Sequence, residues 1–330
     1  MRWRWPFCSR KRANPPERFF YHSFPRRGRS TDGELEKGLK ILSLICEVGL
    51  VLAPEVVKWK TPHADGSPPR EQETIQRRVC FTELAPPELA RHAEEFGHFA
   101  LEFDIETLKR MGAMPVFYIP QPAARDGDGA ASLGSTLVMQ STDAMILAMR
   151  LADIAEVLPE VNEGRFDCTV GFTNLKTFSL DVAETRKVLE AFAYAITPAD
   201  MIKHSLAGLL SCFYPADNVR DNKALAYYRQ REWRIAWNFA IRDEEVMRAP
   251  SSQLIDRLLD IDAAFFGRDF PTMSGVKRLA EVAFVFPGIG GKKAVQMVNR
   301  VVVPRAALAA AKAALDRAAP GVPVVCTEDY

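Results

Sequence analysis

The chain of 330 residues is long enough for one large domain or two ordinary ones, with a substantial hydrophobic core. Its 48% hydrophobic and 26% charged residues are close to the globular average, which excludes a disordered or fibrous chain. The 43 Lys and Arg nearly cancel the 42 Asp and Glu, so the net charge of +1 gives no general argument for nucleic-acid binding. No apolar stretch reaches the roughly 20 uncharged residues that span a bilayer, so we expect no membrane contact.

The cysteines argue against a metal site. The six residues are Cys8, Cys46, Cys80, Cys168, Cys212 and Cys326. They form no CxxC pair and do not cluster with His, so we expect no metal and a reducing, cytoplasmic environment.

The first 16 residues are predicted to form a basic, flexible arm ahead of a single folded domain over 17–330. Residues 1–30 carry nine Lys or Arg and one acid, without the apolar core of a secretory signal. A nucleic-acid contact through this arm is the alternative to a solvated tail.

The N-terminal half mixes strands and helices. Aromatic residues predict a strand at 19–23, and apolar residues at helical spacing predict a helix over Glu34–Val48. The stretch 59–73, rich in Pro, Gly and charge, is predicted to be a loop that leads to a strand at 78–82.

Further elements follow in the same half. A helix that starts at Pro86 leads to an alternating, half-buried strand at 99–103. Asp104 is predicted to cap a short helix, and 114–119 gives another strand.

Residues 141–228 differ, because capped helices replace the strands. The predicted caps are Ser141 before a helix at 144–158, Asp181, and Thr197. We interpret this span as a helical insertion packed on the sheet of the same domain.

Strand character returns at 232–239. Trp233 and Ile235 lie on one face of this strand, and Glu232 and Arg234 lie on the other. The remaining pattern predicts a helix at 253–266, a strand at 280–286, a helix from Lys292, an Ala-rich helix after Pro304 and a last strand at 322–326.

The turn at 287–293 invites a phosphate-loop interpretation. Phe286 stands where such a loop needs Gly, and Lys293 stands where it needs Ser or Thr. An ordinary tight turn is therefore favoured over phosphate binding.

Three polar residues on predicted strands are candidates for chemistry: His22, Thr82 and Glu232. Each also has a purely structural explanation, with His22 half-buried, Thr82 a strand former, and Glu232 paired to Arg231 or Arg234. Neither HExxH nor GxSxG occurs, so neither a zinc hydrolase nor a serine hydrolase is indicated.

Eight short motifs follow one another along the chain: FYHS at 20–23, GLKIL at 38–42, EVGL at 47–50, VCFTE at 79–83, FGHFALEFD at 96–104, GAMPVFY at 112–118, REWR at 231–234 and AFVFPG at 283–288. Their order resembles the bacterial abortive-infection proteins of the AbiGi type and a related group of bacterial domains. This group is similar in layout to ADP-ribosyltransferase folds. The resemblance implies an α+β domain with a small twisted split β-sheet, flanking helices and the helical insertion.

The same resemblance implies NAD as a substrate and no metal. It places His22, Thr82 and Glu232 in catalytic roles, with Glu232 stabilising an oxocarbenium-like state at the ribose. It further implies that Tyr21 or Tyr228 stacks on the nicotinamide and that Arg78 or Arg234 holds the pyrophosphate. Two departures from the family pattern are the long spacing between Thr82 and Glu232 and the lack of a second glutamate before Glu232.

Two functions follow for a phage-defence or toxin–antitoxin protein. One is an enzyme that transfers ADP-ribose from NAD to a macromolecule. The alternative is a non-catalytic, antitoxin-type protein that acts by binding a partner protein. Convergence of His22, Thr82 and Glu232 in one cleft would favour the enzyme, and their dispersal would favour the binding protein.

Overall fold

A computed structural model of the chain shows a mixed α and β architecture. It describes residues 17–26, 33–61, 70–119, 129–157, 164–170, 176–195, 199–215, 231–236, 240–241, 244–245, 248–272 and 275–329.

Eight α-helices lie in this described part of the chain. They are α1 (Glu34–Val48), α2 (Leu89–Phe96), α3 (Ile105–Arg110), α4 (Gly129–Val157), α5 (Val182–Ala195), α6 (Ala199–Cys212), α7 (Ser252–Phe266) and α8 (Leu308–Ala318).

The strands are numbered in chain order. They are β1 (Phe19–Phe24), β2 (Leu50–Thr61), β3 (Arg70–Leu84), β4 (Phe99–Phe103), β5 (Met114–Pro115), β6 (Phe117–Ile119), β7 (Arg165–Val170), β8 (Lys176–Asp181), β9 (Phe213–Pro215), β10 (Glu232–Ala236), β11 (Ala240–Ile241), β12 (Glu244–Glu245), β13 (Asp269–Thr272), β14 (Gly275–Arg278), β15 (Phe284–Phe286), β16 (Gly288–Ile289), β17 (Lys292–Lys293), β18 (Arg300–Val303) and β19 (Val324–Cys326).

Nine of these strands form the main sheet. Seven run in the order β15-β2-β3-β1-β4-β18-β19, while β10 pairs with β3 and β5 pairs with β10. Every pairing is antiparallel except that of β18 with β19.

The long strand β3 organises the sheet because it has three partners. Thr82 pairs with both β1 and β10, and Arg78 pairs with both β2 and β10. Strand β10 therefore occupies one edge of β3, while β1 and β2 follow each other along the opposite edge. We call the point between Arg78 and Thr82, where β1 and β2 diverge, the fork.

Helices cover both faces of the sheet. The main core lies between one face and helices α1 and α8, and its buried aromatic residues are Phe20, Phe24, Phe81, Phe99, Phe103 and Phe286. Helix α1 passes very close to β4, since a Cβ atom added at Gly38 would lie 2.2 Å from the Phe99 ring. The opposite face carries two smaller clusters, one centred on Tyr21 and α2, the other on Trp59, α4 and β9.

Several predicted elements are confirmed. Strand β1, helices α1, α7 and α8, and strand β19 lie where the sequence patterns place them. Asp104 caps α3, because its carboxylate accepts the Thr107 amide at 2.7 Å.

The predicted loop at 59–73 is wrong at both ends. Strand β2 continues to Thr61 and β3 begins at Arg70. The sequence pattern did not indicate these strands, because charged residues such as Lys58 and Glu73 form their exposed face. Only Val57 and Trp59 indicate the buried face.

The middle of the chain also differs from expectation. Ser141 lies inside α4, which begins at Gly129, and the hairpin β7–β8 lies where we expected helices almost exclusively. The Thr197 cap falls outside the described residues, whereas the Asp181 side chain caps α5 as predicted, accepting the Glu184 amide at 3.1 Å.

Three further details are corrected. The strand at 99–103 is buried on both faces rather than half-buried, because clusters pack on each side of it. A 3₁₀ turn, Leu279–Val282, replaces the first half of the strand expected at 280–286. The helix expected from Lys292 is β17 followed by a 3₁₀ turn, Ala294–Met297.

Candidate functional site

A row of polar residues crosses the sheet on one face. Arg300, Glu102, Tyr21, Thr82 and Glu232 lie directly opposite one another on β18, β4, β1, β3 and β10. Directly opposed residues of antiparallel strands project to the same side, so this row includes two of the three predicted catalytic residues.

His22 lies on the other side of the sheet. Successive side chains of a strand alternate between faces, so His22 faces the main core while Tyr21 and Thr82 face away from it. The His22 ring centroid is 5.7 Å from that of Phe24 and 5.8 Å from that of Phe81. The structure thus brings Thr82 and Glu232 together and separates both from His22.

The His22 ring forms a hydrogen bond with a backbone carbonyl at the fork. Its Nδ1 lies 2.9 Å from the Cys80 carbonyl oxygen, which can only accept, so Nδ1 carries the proton. Burial lowers the pKa of His22, which favours the neutral ring. His22 therefore closes the gap that the divergence of β1 and β2 leaves beside β3.

Glu232 is held at both carboxylate oxygens. Its Oε1 accepts a hydrogen bond from Nε of Arg234 at 2.8 Å, and its Oε2 accepts one from the Tyr118 hydroxyl at 2.8 Å. Burial would raise the pKa of Glu232, but the guanidinium groups of Arg234 and Arg78 lower it to about 2. The carboxylate is therefore ionised at neutral pH.

Arg78 and Arg234 are brought together beneath the helical part of the chain. Both guanidinium groups lie 4.8 Å from the centroid of the Tyr214 ring. Arg78 also forms an ion pair with Glu55 and a hydrogen bond with Gln76. Because Arg234 is only 1% exposed and both cations have carboxylate partners, neither guanidinium is presented to a ligand in solution.

Tyr21 and Tyr228 were the two tyrosines predicted to stack on the nicotinamide. Tyr21 is buried, and its hydroxyl donates to Glu102 at 2.7 Å, so its ring is a core element under α2. Tyr228 lies outside the described residues.

A cleft of about 520 Å³ opens beside Glu232 at the edge of the sheet. Its walls are the segment 115–119, which includes Phe117 and Tyr118, and the start of β10 with Glu232 and Trp233. Glu83 and Arg231 also line the cleft, and they form an ion pair of 2.9 Å. The cleft is widely open to solvent, and aromatic, apolar and charged residues line it.

The nearby thiols are unsuited to nucleophilic attack. Burial raises the pKa of Cys80 to about 12 and that of Cys212 to about 11. In the described part of the chain, no group of three or more His, Cys, Asp or Glu is arranged to hold a metal ion. No helix among the described residues is both long and apolar enough to cross a bilayer.

Three residues around Glu232 were not found from the sequence: Tyr118, Glu55 and Tyr214. The Tyr214 hydroxyl donates to Glu55 at 3.2 Å, and Tyr214 and Tyr118 lie opposite each other on the parallel strands β9 and β6. An aromatic run before Pro215 was the only available signal for β9, and its partner strand is distant in sequence.

Comparison with protein-family models, with curated proteins and with solved structures gives no match to this chain.

Proposed function

We propose that the protein is a bacterial defence or toxin–antitoxin component that acts by binding a partner protein. The observation that carries this proposal is the concentration of exposed apolar side chains in α4, β8, α5 and α6. Of the eight large apolar side chains exposed in the described part of the chain, five lie there: Leu137, Leu147, Phe178, Val188 and Leu209. These elements adjoin one another, since α4 packs against α5 and α6 and α5 packs against β8, and a contiguous exposed apolar patch is typical of interaction surfaces.

The hairpin β7–β8 supports the same proposal. It is a separate two-stranded sheet, and the register places Phe166, Cys168, Phe178 and Leu180 on one face. Phe166, Cys168 and Leu180 are half-buried and Phe178 is exposed, so a partner that covers Phe178 would add to the stability of this small sheet. The separation of His22 from Thr82 and Glu232 also favours binding over catalysis.

The experiment uses co-expression with the product of each neighbouring gene, followed by size-exclusion chromatography. We expect one of these products to co-elute with the wild-type chain. The double variant Leu147→Asp/Phe178→Asp should lose the complex, because it places charges on the exposed apolar surface. Val276→Asp is the matched control, since Val276 is 70% exposed but lies on β14, outside this region. Equal loss in the control, or an unaffected double variant, would contradict the proposal.

A second candidate is transfer of ADP-ribose from NAD, in an ADP-ribosyltransferase-like layout. It is favoured by Glu232, a residue of the cleft that lies directly opposite Thr82 and whose carboxylate is ionised. The nicotinamide–ribose bond would break with its electron pair going to nicotinamide, and Glu232 would stabilise the positive charge that develops on the ribose. A nucleophilic atom of the acceptor macromolecule would then bond to C1′ of the ribose and release its proton to water. Release of nicotinamide from NAD by the wild type, with about 100-fold less by Glu232→Gln, would favour this enzyme over the binding protein.

A further inference from the structure

The hairpin β7–β8 has two strand edges, and its hydrogen-bond register shows which backbone groups point outward. The Val182 amide donates to the Gly164 carbonyl at 3.0 Å, next to the pair that Arg165 forms with Asp181. Directly opposed residues of antiparallel strands alternate between hydrogen-bonded and non-hydrogen-bonded pairs. Because Gly164 and Val182 are hydrogen-bonded, the N–H and C=O groups of Arg165 and Asp181 point away from the neighbouring strand.

Two further pairs follow the same alternation. Asp167 lies opposite Ser179 and Thr169 lies opposite Thr177, so the backbone groups of these four residues also point outward. The hydroxyls of Thr169 and Thr177 are 3.0 Å apart, which agrees with the closer approach of side chains in non-hydrogen-bonded pairs. Three residues thus present outward N–H and C=O groups on the β7 edge: Arg165, Asp167 and Thr169.

The two edges differ, because side chains of the same chain partly cover the β8 edge. The Arg165 guanidinium donates to the Ser179 carbonyl at 2.7 Å, and the Thr185 hydroxyl donates to the Asp181 carbonyl at 2.7 Å. On the β7 edge, no group in the described part of the chain bonds to the outward N–H and C=O groups. All three residues of that edge are exposed, so it is open to an added strand.

The side chains beside the β7 edge define what an added strand has to carry. Asp167 forms no ion pair with any described residue, and Arg165, two positions before it, bonds to Ser179 instead. Phe166 and Cys168 lie on the opposite, apolar face of the hairpin. A positive charge is therefore favoured directly opposite Asp167, and apolar side chains are favoured on either side of that charge.

We propose that β7 binds an extended segment of the partner protein as an antiparallel third strand, with a lysine or arginine opposite Asp167 and an apolar residue on each side of it. In this mode of recognition, main-chain hydrogen bonds supply affinity and the alternating side chains supply specificity. That the segment belongs to a partner rests on the proposed function. The addition of a strand rests on the β7 edge alone.

The test uses a fluorescent peptide with the core Thr-Val-Lys-Val-Thr between glycines, and fluorescence anisotropy follows its titration with the full chain. We expect saturable binding that weakens about tenfold or more when the Lys nitrogen is methylated, because that N–H faces β7. Methylation of the first Val nitrogen, whose N–H faces solvent, is the matched control and should change the affinity by less than about threefold. Absent saturable binding, or a control effect as large as that at Lys, would overturn the inference.

Thr169 and Thr177 provide matched variants of the protein, because they lie directly opposite each other and differ in the edge that they face. Proline at either position removes an outward N–H that the hairpin does not use, and both variants lose the same hydroxyl contact. Thr169→Pro should weaken binding of the peptide about tenfold or more, whereas Thr177→Pro should keep the affinity within about twofold. Circular dichroism checks that both variants are folded. Equal affinities in the two variants would contradict the assignment to β7.

Asp167 tests the charge without a change in the backbone. Asp167→Lys should weaken binding of the Lys peptide about two- to fivefold, because like charges then lie directly opposite each other. A second peptide with Glu in place of Lys should bind Asp167→Lys more tightly than it binds the wild type. If the two peptides respond alike to Asp167→Lys, the residue opposite Asp167 is not the one inferred.

Failure of strand addition and failure of the proposed function give different results. A complex that Leu147→Asp/Phe178→Asp disrupts and Thr169→Pro preserves would retain the partner and reject the added strand. Peptide binding at β7 without any stable complex would retain the edge site and reject the partner. Self-association of the chain that Thr169→Pro abolishes would show that a second copy, and not a partner, occupies the edge.

Discussion

Glu232 is a nearly buried carboxylate that forms an ion pair with the buried guanidinium of Arg234. Side chains alternate along the strand, so Glu232 projects to the face opposite to that of Trp233. The sequence alone is compatible with a solvated surface or with a functional site on that face. In the folded chain its side chain is 10% exposed, and Arg234 and Tyr118 bind both oxygens. The negative charge of Glu232 therefore stabilises the fold through these bonds, and the same charge is the group that the proposed chemistry would use.

The ionisation of Glu232 predicts a dependence of stability on pH. Its pKa of about 2 in the folded chain is below the ordinary value of 4.5, so its contribution is complete above about pH 4.5 and is lost as the pH falls towards 2. Glu232→Gln should lower the free energy of unfolding by about 3 kcal/mol at pH 7, because Arg234 stays buried without its carboxylate. Urea unfolding measures the difference at pH 7 and pH 3.

At pH 3 the difference between wild type and variant should shrink by about 2 kcal/mol. A difference that is equal at the two pH values would show that the carboxylate is not held in its charged form.

At the scale of elements, the packing of α1 on β4 depends on the absence of one side chain. Gly38 lies where α1 crosses Phe99, and the ring occupies the space that a Cβ would need. Helix propensity favours Ala over Gly at this position, so only the close approach of the two elements explains the glycine.

Gly38→Ala is expected to destabilise the protein by about 1–3 kcal/mol, in spite of the gain in helix propensity. Thermal and urea unfolding give the magnitude. Ser43→Ala, at an exposed position of the same helix, is the control and should be neutral or slightly stabilising. A stabilised Gly38→Ala would mean that α1 lies farther from β4 than the structure places it.

The sequence predicts elements well where local chemistry defines them. The Asp104 cap and the apolar spacing of α1 are local signals, and both predictions are confirmed. Strand β2 was missed because Lys58 and its neighbours look like loop residues until Trp59 is seen to pack against α4 and β9. Contacts between distant segments likewise decide which face of β1 carries His22, so sequence spacing could not reveal its separation from Glu232.

At the scale of the whole molecule, the helical segments and the sheet share one buried polar network. Gln76 of β3 donates to the backbone carbonyls of Leu210 and Phe213 at 3.1 Å and 2.9 Å, and Tyr214 lies against two buried guanidinium groups. Removing α6 and β9 would expose these groups to solvent without their partners. We therefore expect the helical segments and the sheet to unfold together.

Tryptophan fluorescence and far-UV circular dichroism should accordingly report a single, coincident thermal transition. Tyr214→Ala should lower the stability by about 3–5 kcal/mol, the usual range for a buried aromatic residue. Phe178→Ala, at an exposed position of β8, should change it by less than about 0.5 kcal/mol. Two separate transitions in the wild type would show that the helical segments form an independent unit.

Because β3 has three partner strands, its two edges are paired at different times during synthesis. Strands β1, β2 and β3 all leave the ribosome early, but β10 follows only after the helical segments have been translated. At ordinary elongation rates the interval is roughly ten seconds. During that time one edge of β3 has unpaired amides and carbonyls, which can pair with another nascent chain on the same messenger. The length of the helical segments thus sets how long this edge of β3 stays unpaired in each new molecule.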